Sequence, residues 1–237
     1  MVTVSEICRK AYREINMLGI KASMITEQED EALELLNTLI PSTLGSEIGE
    51  ELRDFQVGGT YDQTTGWTEY LPENTRLVCN ISSGRTLKLH PMPYDGQRLA
   101  VVDASGNFAT NNLVLDGNGR TIESASTKTL STNSQTREWF YRADLGDWKA
   151  VTDLALADDM PFPVEFNDFW RILLAARLSS RYDQELNQSS MMWLDQMANR
   201  LDARYRRPRR VQDWGSLGLL GQNRMGYTSS PSNWRSW

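Results

Sequence analysis

The sequence predicts an α+β protein: an α-helical bundle made from N- and C-terminal helices, an antiparallel β domain inserted between them, and an extended C-terminal tail. Three observations lead there. Apolar residues recur every three or four positions at both ends of the chain, as on one face of a helix. From about residue 68 to 152 they fall into short runs separated by Gly, Asn, Asp and Ser, the spacing of strands and turns. After Arg207 the periodicity stops while aromatic and arginine side chains continue. The predicted division is 1–66 (N-terminal helical part), 67–152 (β domain), 153–206 (C-terminal helical part) and 207–237 (tail).

The first helix is predicted from Thr3 and Glu6, which have the spacing of a capping box. Ile7, Ala11, Ile15 and Leu18 then make one stripe, and Gly19 suits its end. A second box, Thr26 and Glu29, opens a helix whose face is Ala32, Leu33, Leu36, Leu39 and Ile40, with Pro41 as its stop. Glu27, Glu29, Asp30 and Glu31 sit in its first turn, where acids favour the helix dipole. Between 41 and 66 the pattern is mixed, with a short helix expected around Glu47 to Phe55. In the β region, the alternation in REWFYR (137–142) predicts a strand covered on both faces. Beyond Pro161 and Pro163, a helix is predicted with Phe166, Phe169, Trp170, Leu173, Leu174 and Leu178 on one wide face. Asn187 caps a last helix, whose near-heptad seam is Met191, Leu194, Met197 or Ala198, Leu201 and Tyr205, suited to packing along a neighbouring helix.

With 237 residues, 40% hydrophobic and 24% charged, the chain has enough material for a sizeable core. No apolar run approaches the ~20 residues that span a bilayer, and MVTVSEICRKAYREI lacks the layout of a secretory signal. The expected place of synthesis and folding is therefore the cytoplasm. The net charge of -6 is unevenly spread: from Arg200 onward eight arginines face two aspartates, giving +6 and leaving -12 for the first 199 residues. Such a tail seeks an acidic surface, of protein or of nucleic acid.

Several chemistries fail on counting. Cys8 and Cys79 form no CxxC pair, and His90 is the single histidine, too few ligands for zinc. The stretch VDASGNFATNNLVLDGNGRTIE (102–123) has the acids, amides and glycines of a calcium loop. An EF-hand starting at Asp103 would put Phe108 where Gly is needed and Val114 where Glu is needed. One starting at Asp116 would put Arg120 and Thr127 at ligand positions. Gly117-Asn118-Gly119 leads to Ile122 and to no helix, unlike a dinucleotide loop. The stretch is read instead as closely spaced hairpins, with Gly106-Asn107, Asp116-Gly117 and Asn118-Gly119 at the turns. There is no GxSxG elbow. Asp158 and Asp159, or Asp144 and Asp147, are candidate glycosidase carboxylates, and Trp139 and Trp148 candidate sugar platforms. No catalytic residue, cofactor or metal is assigned, and the chain is expected not to be an enzyme.

The order of these parts resembles the head-to-tail adaptor (connector, or head-completion) proteins of short-tailed double-stranded DNA bacteriophages. The resemblance is carried by AYREINMLGI…TEQEDEALELLNTLI, by DDMPFPVEFNDFWRILLAARLSSRYDQ, and by the insert PYDGQRLAVVDASGNFATNNLVLDGNGRTIE, similar to a β element of phage neck and tail proteins. It implies a virion protein, made in the bacterial host cytoplasm, that forms a homo-oligomeric ring of twelve copies below the portal. The ring extends the channel through which double-stranded DNA passes without sequence-specific binding, and it attaches tail nozzle or fibre proteins. On this resemblance the portal-docking tail is Arg207, Arg209, Arg210, Trp214, Leu219, Leu220, Arg224, Tyr227, Trp234 and Trp237. The ring-packing helix is Met191, Leu194, Met197, Leu201 and Tyr205. The competing reading is a tail-associated glycan-binding or peptidoglycan-cleaving component.

Overall fold

The computed structural model describes residues 2–58 and 70–206. Among these residues, four helices, α1 (Val4–Glu14), α2 (Thr26–Thr43), α3 (Asn167–Tyr182) and α4 (Gln188–Tyr205), flank nine strands. These are β1 (Arg53–Gly58), β2 (Thr75–Asn80), β3 (Arg85–Lys88), β4 (Arg98–Asp103), β5 (Leu113–Asp116), β6 (Thr121–Ile122), β7 (Thr127–Leu130), β8 (Thr136–Arg142) and β9 (Asp147–Ala150).

The strands correct the predicted fold class. They form a six-stranded sheet ordered β1-β2-β4-β8-β9-β6 and a three-stranded sheet ordered β3-β5-β7. Pairs β1/β2, β2/β4, β6/β9 and β3/β5 are parallel. Among the described strands, β4/β8, β8/β9 and β5/β7 are antiparallel. The chain coils: β2 in one sheet leads to β3 in the other, then returns to β4 beside β2 and goes on to β5 beside β3. This builds a solenoid-like stack of about four turns. The protein is thus a mixed α/β fold, and not a helical bundle carrying an inserted antiparallel domain. Hydrophobic alternation has the same period in both kinds of ladder, so it does not reveal strand direction.

The hairpin reading of 102–123 changes for the same reason. β4 and β5 lie in different sheets, as do β5 and β6, so the Asn-Gly turns are corners of the coil. Their left-handed backbone was foreseen at Gly106, Asn118 and Gly119, with φ of 66°, 49° and 88°. Gly117 is required for another reason: a Cβ there would come within 2.0 Å of the Arg120 carbonyl oxygen.

Two cores meet at β8. Leu77, Cys79, Leu99, Val101, Trp139, Tyr141 and Trp148 of the larger sheet pack against Leu87, Leu113, Leu115 and Leu130 of the smaller. Phe140 points the other way, into the helical core with Phe162, Trp170 and Tyr205. Phe140 meets Phe162 and Tyr205 edge-on, with centroids 5.1 Å apart in each case. The predicted two-sided strand is present, and it is the reason that helices and sheets share one compact unit, Met1–Arg206.

Local signals in the helices held with small displacements. Thr3 caps α1 by accepting the Glu6 amide at 3.3 Å, and Asn187 caps α4 by accepting the Ser189 amide at 3.1 Å. α1 stops at Glu14, and the left-handed residue after it is Asn16, not Gly19. α2 is capped one residue earlier than predicted: Ile25 precedes it and donates its amide to the Gln28 side chain at 3.2 Å. Pro41 lies inside α2, which runs on to Thr43. The short helix expected around 47–55 is absent, because Arg53–Gly58 joins the sheet beside β2.

The helices are fastened to the segment after the sheet. Asn37 of α2 donates to the Leu154 carbonyl at 3.1 Å and accepts the Leu154 amide at 2.8 Å. The Val4 amide donates to the Asp158 carbonyl at 2.9 Å, and the Met160 amide to the Val2 carbonyl at 3.0 Å. On the helix-facing side of the sheet, the Arg98 guanidinium lies 2.5 Å from the Glu138 carboxylate, both buried. Arg98 also donates to the Glu50 carbonyl at 3.1 Å. Burial pushes the Glu138 carboxyl up, and Arg98 opposes that shift incompletely. A charge left alone here has no water to turn to. Glu138→Ala is therefore expected to cost about 3–5 kcal/mol in urea unfolding, while the double change Arg98→Met with Glu138→Leu recovers most of that loss.

Candidate functional site

Among the described residues, the helix links are tied by several side-chain networks. α1, α2 and α3 are gathered by one carboxylate. Glu31 accepts hydrogen bonds from the Tyr12 hydroxyl at 3.0 Å, the Tyr182 hydroxyl at 2.5 Å and Arg181 at 2.9 Å. Burial raises the Glu31 pKa, but the three donors outweigh it and hold the carboxyl below its usual range. Burial, followed by the bonds to Tyr182 and Glu31, pushes the Tyr12 phenol well up, so it stays a neutral donor. A second carboxylate ties in α4: Glu14 accepts from Arg171 of α3 at 2.6 Å and from the Ser190 hydroxyl at 2.7 Å. The cleft between the α1 end and the α3–α4 link has a volume of about 510 Å³ and is lined by Arg13, Glu14, Asn16 and Glu185 through Gln188.

The same links carry exposed apolar side chains. Of the ten large hydrophobic residues exposed among the described residues, six lie in or next to the two links: Met17, Ile20, Ile25, Met191, Met192 and Trp193. Ile20 is 86% exposed, Met192 60% and Trp193 52%. Three successive residues on a helix fan over about 200° of its circumference. Ser190 and Leu201 fix the inward side of α4, so the Met-Met-Trp run cannot all be buried.

The structure divides the predicted ring-packing seam. Leu201 and Tyr205 are buried in this chain's own core, Leu194 and Met197 are half-buried against it, and Met191 is exposed. Tyr205 lies so close to Gly96 that a Cβ there would sit 2.3 Å from the ring. Arg204 reaches Asp95 at 3.2 Å and also pairs with Glu165, which fixes the last turn of α4. Glu14, Met192 and Trp193 were not singled out from sequence, and Glu31 was read there only as one of the acids at the start of α2. The run of three large apolar residues was the available signal for Met192 and Trp193, whereas nothing local marks which acids of a rich first turn face inward. The portal-docking residues Arg207, Arg209, Arg210, Trp214, Leu219, Leu220, Arg224, Tyr227, Trp234 and Trp237 lie outside the described residues.

Three of the four acids considered for catalysis hold local contacts. Asp144 holds Arg142 with two bonds, of 2.8 and 2.5 Å. Asp147 is buried, 2.8 Å from Lys149, and accepts the Ser124 amide. Asp158 accepts the Ala155 amide at 2.7 Å. Trp139 and Trp148 are fully buried, so neither offers a face to a sugar. Burial pushes the thiols of Cys8 and Cys79 up to about 12. Among the described residues no group of His, Cys, Asp or Glu could hold a metal ion, and no helix is long and apolar enough to cross a membrane.

Asp103 explains why the calcium-like stretch contains its acid. One carboxylate oxygen accepts from the Gly106 amide at 2.9 Å and the Ser105 hydroxyl at 3.0 Å. The other accepts from the Phe108 amide at 3.1 Å and the Ser134 amide at 3.0 Å. The acceptor capacity is taken up in turning the corner and in tying it to the residues before β8. Compared with protein-family models and with curated protein sequences, the chain finds no match in either.

Burial acts to raise the Asp103 pKa, but these hydrogen bonds prevail and leave it below the usual range. A lowered folded-state pKa gives stability that is present above the unfolded value, about 3.9, and lost as pH falls through the folded value. Asp103→Asn is expected to lower stability at pH 7 by about 1–3 kcal/mol and to flatten the acid limb of a stability-against-pH curve. Added calcium should leave the melting temperature of the unsubstituted protein unchanged.

Proposed function

We propose that the chain is a structural part of a phage neck, a head-to-tail adaptor that forms a ring below the portal, extends the DNA channel and attaches tail nozzle or fibre proteins. The observation that carries this reading is the gathering of exposed Met, Ile and Trp side chains at the joined helix links of an otherwise firmly tied body. Large apolar side chains at high exposure mark surfaces that meet other proteins. Trp and Arg are common anchors of such contacts. The acidic body suits a channel wall, because it repels the phosphates of passing DNA instead of holding them. The arginine and tryptophan residues of 207–237 are assigned to the portal. A ring of copies strengthens each modest contact through multivalency.

Electron microscopy of the protein mixed with portal and tail proteins is the direct test, with rings of twelve copies at the portal as the expected result. A chain ending at Arg206 should keep its circular dichroism and lose portal binding at least tenfold. Undiminished binding by that chain removes the tail from this role. Turnover of peptidoglycan abolished by neutralising a single carboxylate would replace the adaptor reading altogether.

A further inference from the structure

We infer that Asn118–Gly119, at the corner between β5 and β6, is a site of spontaneous covalent modification, where the asparagine side chain loses ammonia through a cyclic imide and ends as a carboxylate. The inference rests on the chemistry of that corner and does not require the neck reading.

The reaction uses the backbone amide of the residue after an asparagine. Its nitrogen bonds to the side-chain carbon Cγ, and the bond from Cγ to the side-chain nitrogen breaks. Ammonia leaves with the proton that the backbone nitrogen gives up. Water then opens the five-membered ring. Cleavage between Cγ and the ring nitrogen leaves aspartate, whereas cleavage at the main-chain carbonyl leaves isoaspartate, with the chain running through Cβ and Cγ. One amide and one water are consumed, one carboxylic acid and one ammonia are formed, and nothing is oxidised or reduced. The step is fast only where the next residue is small and its nitrogen is free to turn towards Cγ.

Asn118 meets both conditions. It is the one asparagine of the chain that glycine follows. Among the described residues the Gly119 amide donates to no acceptor. Gly119 is exposed, and a Cβ there would meet nothing within 4 Å, so its peptide unit has room to rotate. At other asparagines the corresponding nitrogen is held. After Asn16, the Met17 amide donates to the Tyr12 carbonyl at 3.0 Å. After Asn107 and Asn133, the Phe108 and Ser134 amides donate to the Asp103 carboxylate at 3.1 and 3.0 Å.

The corner resists the reaction without blocking it. The Asn118 side chain donates to the Leu89 carbonyl at 3.0 Å, and its backbone amide donates to Asp116 at 2.9 Å. The Arg120 amide closes the turn onto the Gly117 carbonyl at 3.0 Å. These bonds must yield before the ring closes, so the folded chain reacts more slowly than a free peptide. The product loosens the same corner. A carboxylate has no N–H to give Leu89, and it adds a negative charge two residues from Asp116. Isoaspartate also lengthens the main chain within a tight turn.

The test is incubation of the full chain at mildly alkaline pH, followed by peptide mapping with mass spectrometry, beside a synthetic peptide of residues 113–123. Asn118 is expected to convert before any other asparagine of residues 2–206, at least threefold more slowly than in the peptide. Isoaspartate should exceed aspartate, because direct hydrolysis of the side chain gives aspartate alone. Earlier conversion of another of those asparagines overturns the inference. So does aspartate without isoaspartate, or an Asn118 still intact when the peptide has converted completely. Asn118→Asp, made directly, should lower the melting temperature, and an unchanged value overturns the claim that the modification loosens the corner.

Discussion

β8 is the element on which the rest of the structure depends, because it is buried on both faces. Trp139 and Tyr141 close the core between the two sheets, while Phe140 enters the helical core between Phe162 and Tyr205. A strand that faces a core on each side cannot be replaced by one with a single apolar face, and it cannot slip by one residue without exchanging its two sets of partners. The polar residues of β8 obey the same constraint. Glu138, on the side of Phe140, is buried and must be matched, and Arg98 on the adjacent strand supplies the charge. Helices and sheets are thereby joined by packing and by a buried ion pair at the same strand.

The helical layer is organised by two carboxylates, and each gathers several helices. Glu31 receives two phenols and a guanidinium from α1 and α3, and Glu14 receives a guanidinium from α3 and a hydroxyl from α4. Each network satisfies its acid with several donors, which makes a charge tolerable away from bulk water. The consequence for function is indirect. With the links held in place, the apolar side chains around them are presented on a fixed frame, and a partner that binds them does not have to order the frame first. This is how a sequence with no recognisable catalytic motif still has a definable surface to test.

Parts of this are legible in the sequence. The capping oxygens of Thr3 and Asn187, the stripe beginning at Ile7 and Ala11, and the two-sided strand around Trp139 follow from local chemistry that tertiary contacts did not override. The last helix was placed correctly, yet its seam was read as one face for a neighbour. The fold takes Leu201 and Tyr205 into its own core and leaves Met191, Met192 and Trp193 outside, because the end of α4 is pulled onto Gly96 and Phe140 while its start is held through the Ser190–Glu14 bond.

The sequence by itself determined the four long helices and the strand segments from β2 onward, the left-handed backbone of Gly106, Asn118 and Gly119, and that the calcium-like stretch lacks a calcium pattern. Those features depend on neighbours a few residues apart. Only the tertiary structure decided that the strands coil between two sheets with parallel partners, that the Asn-Gly turns are corners, and that Asp103, Glu14 and Glu31 serve as ties. Alternation along a strand records which side chains are buried and is blind to what buries them. Strand direction, sheet membership and the partner of a buried acid are fixed by contacts between residues far apart in the chain.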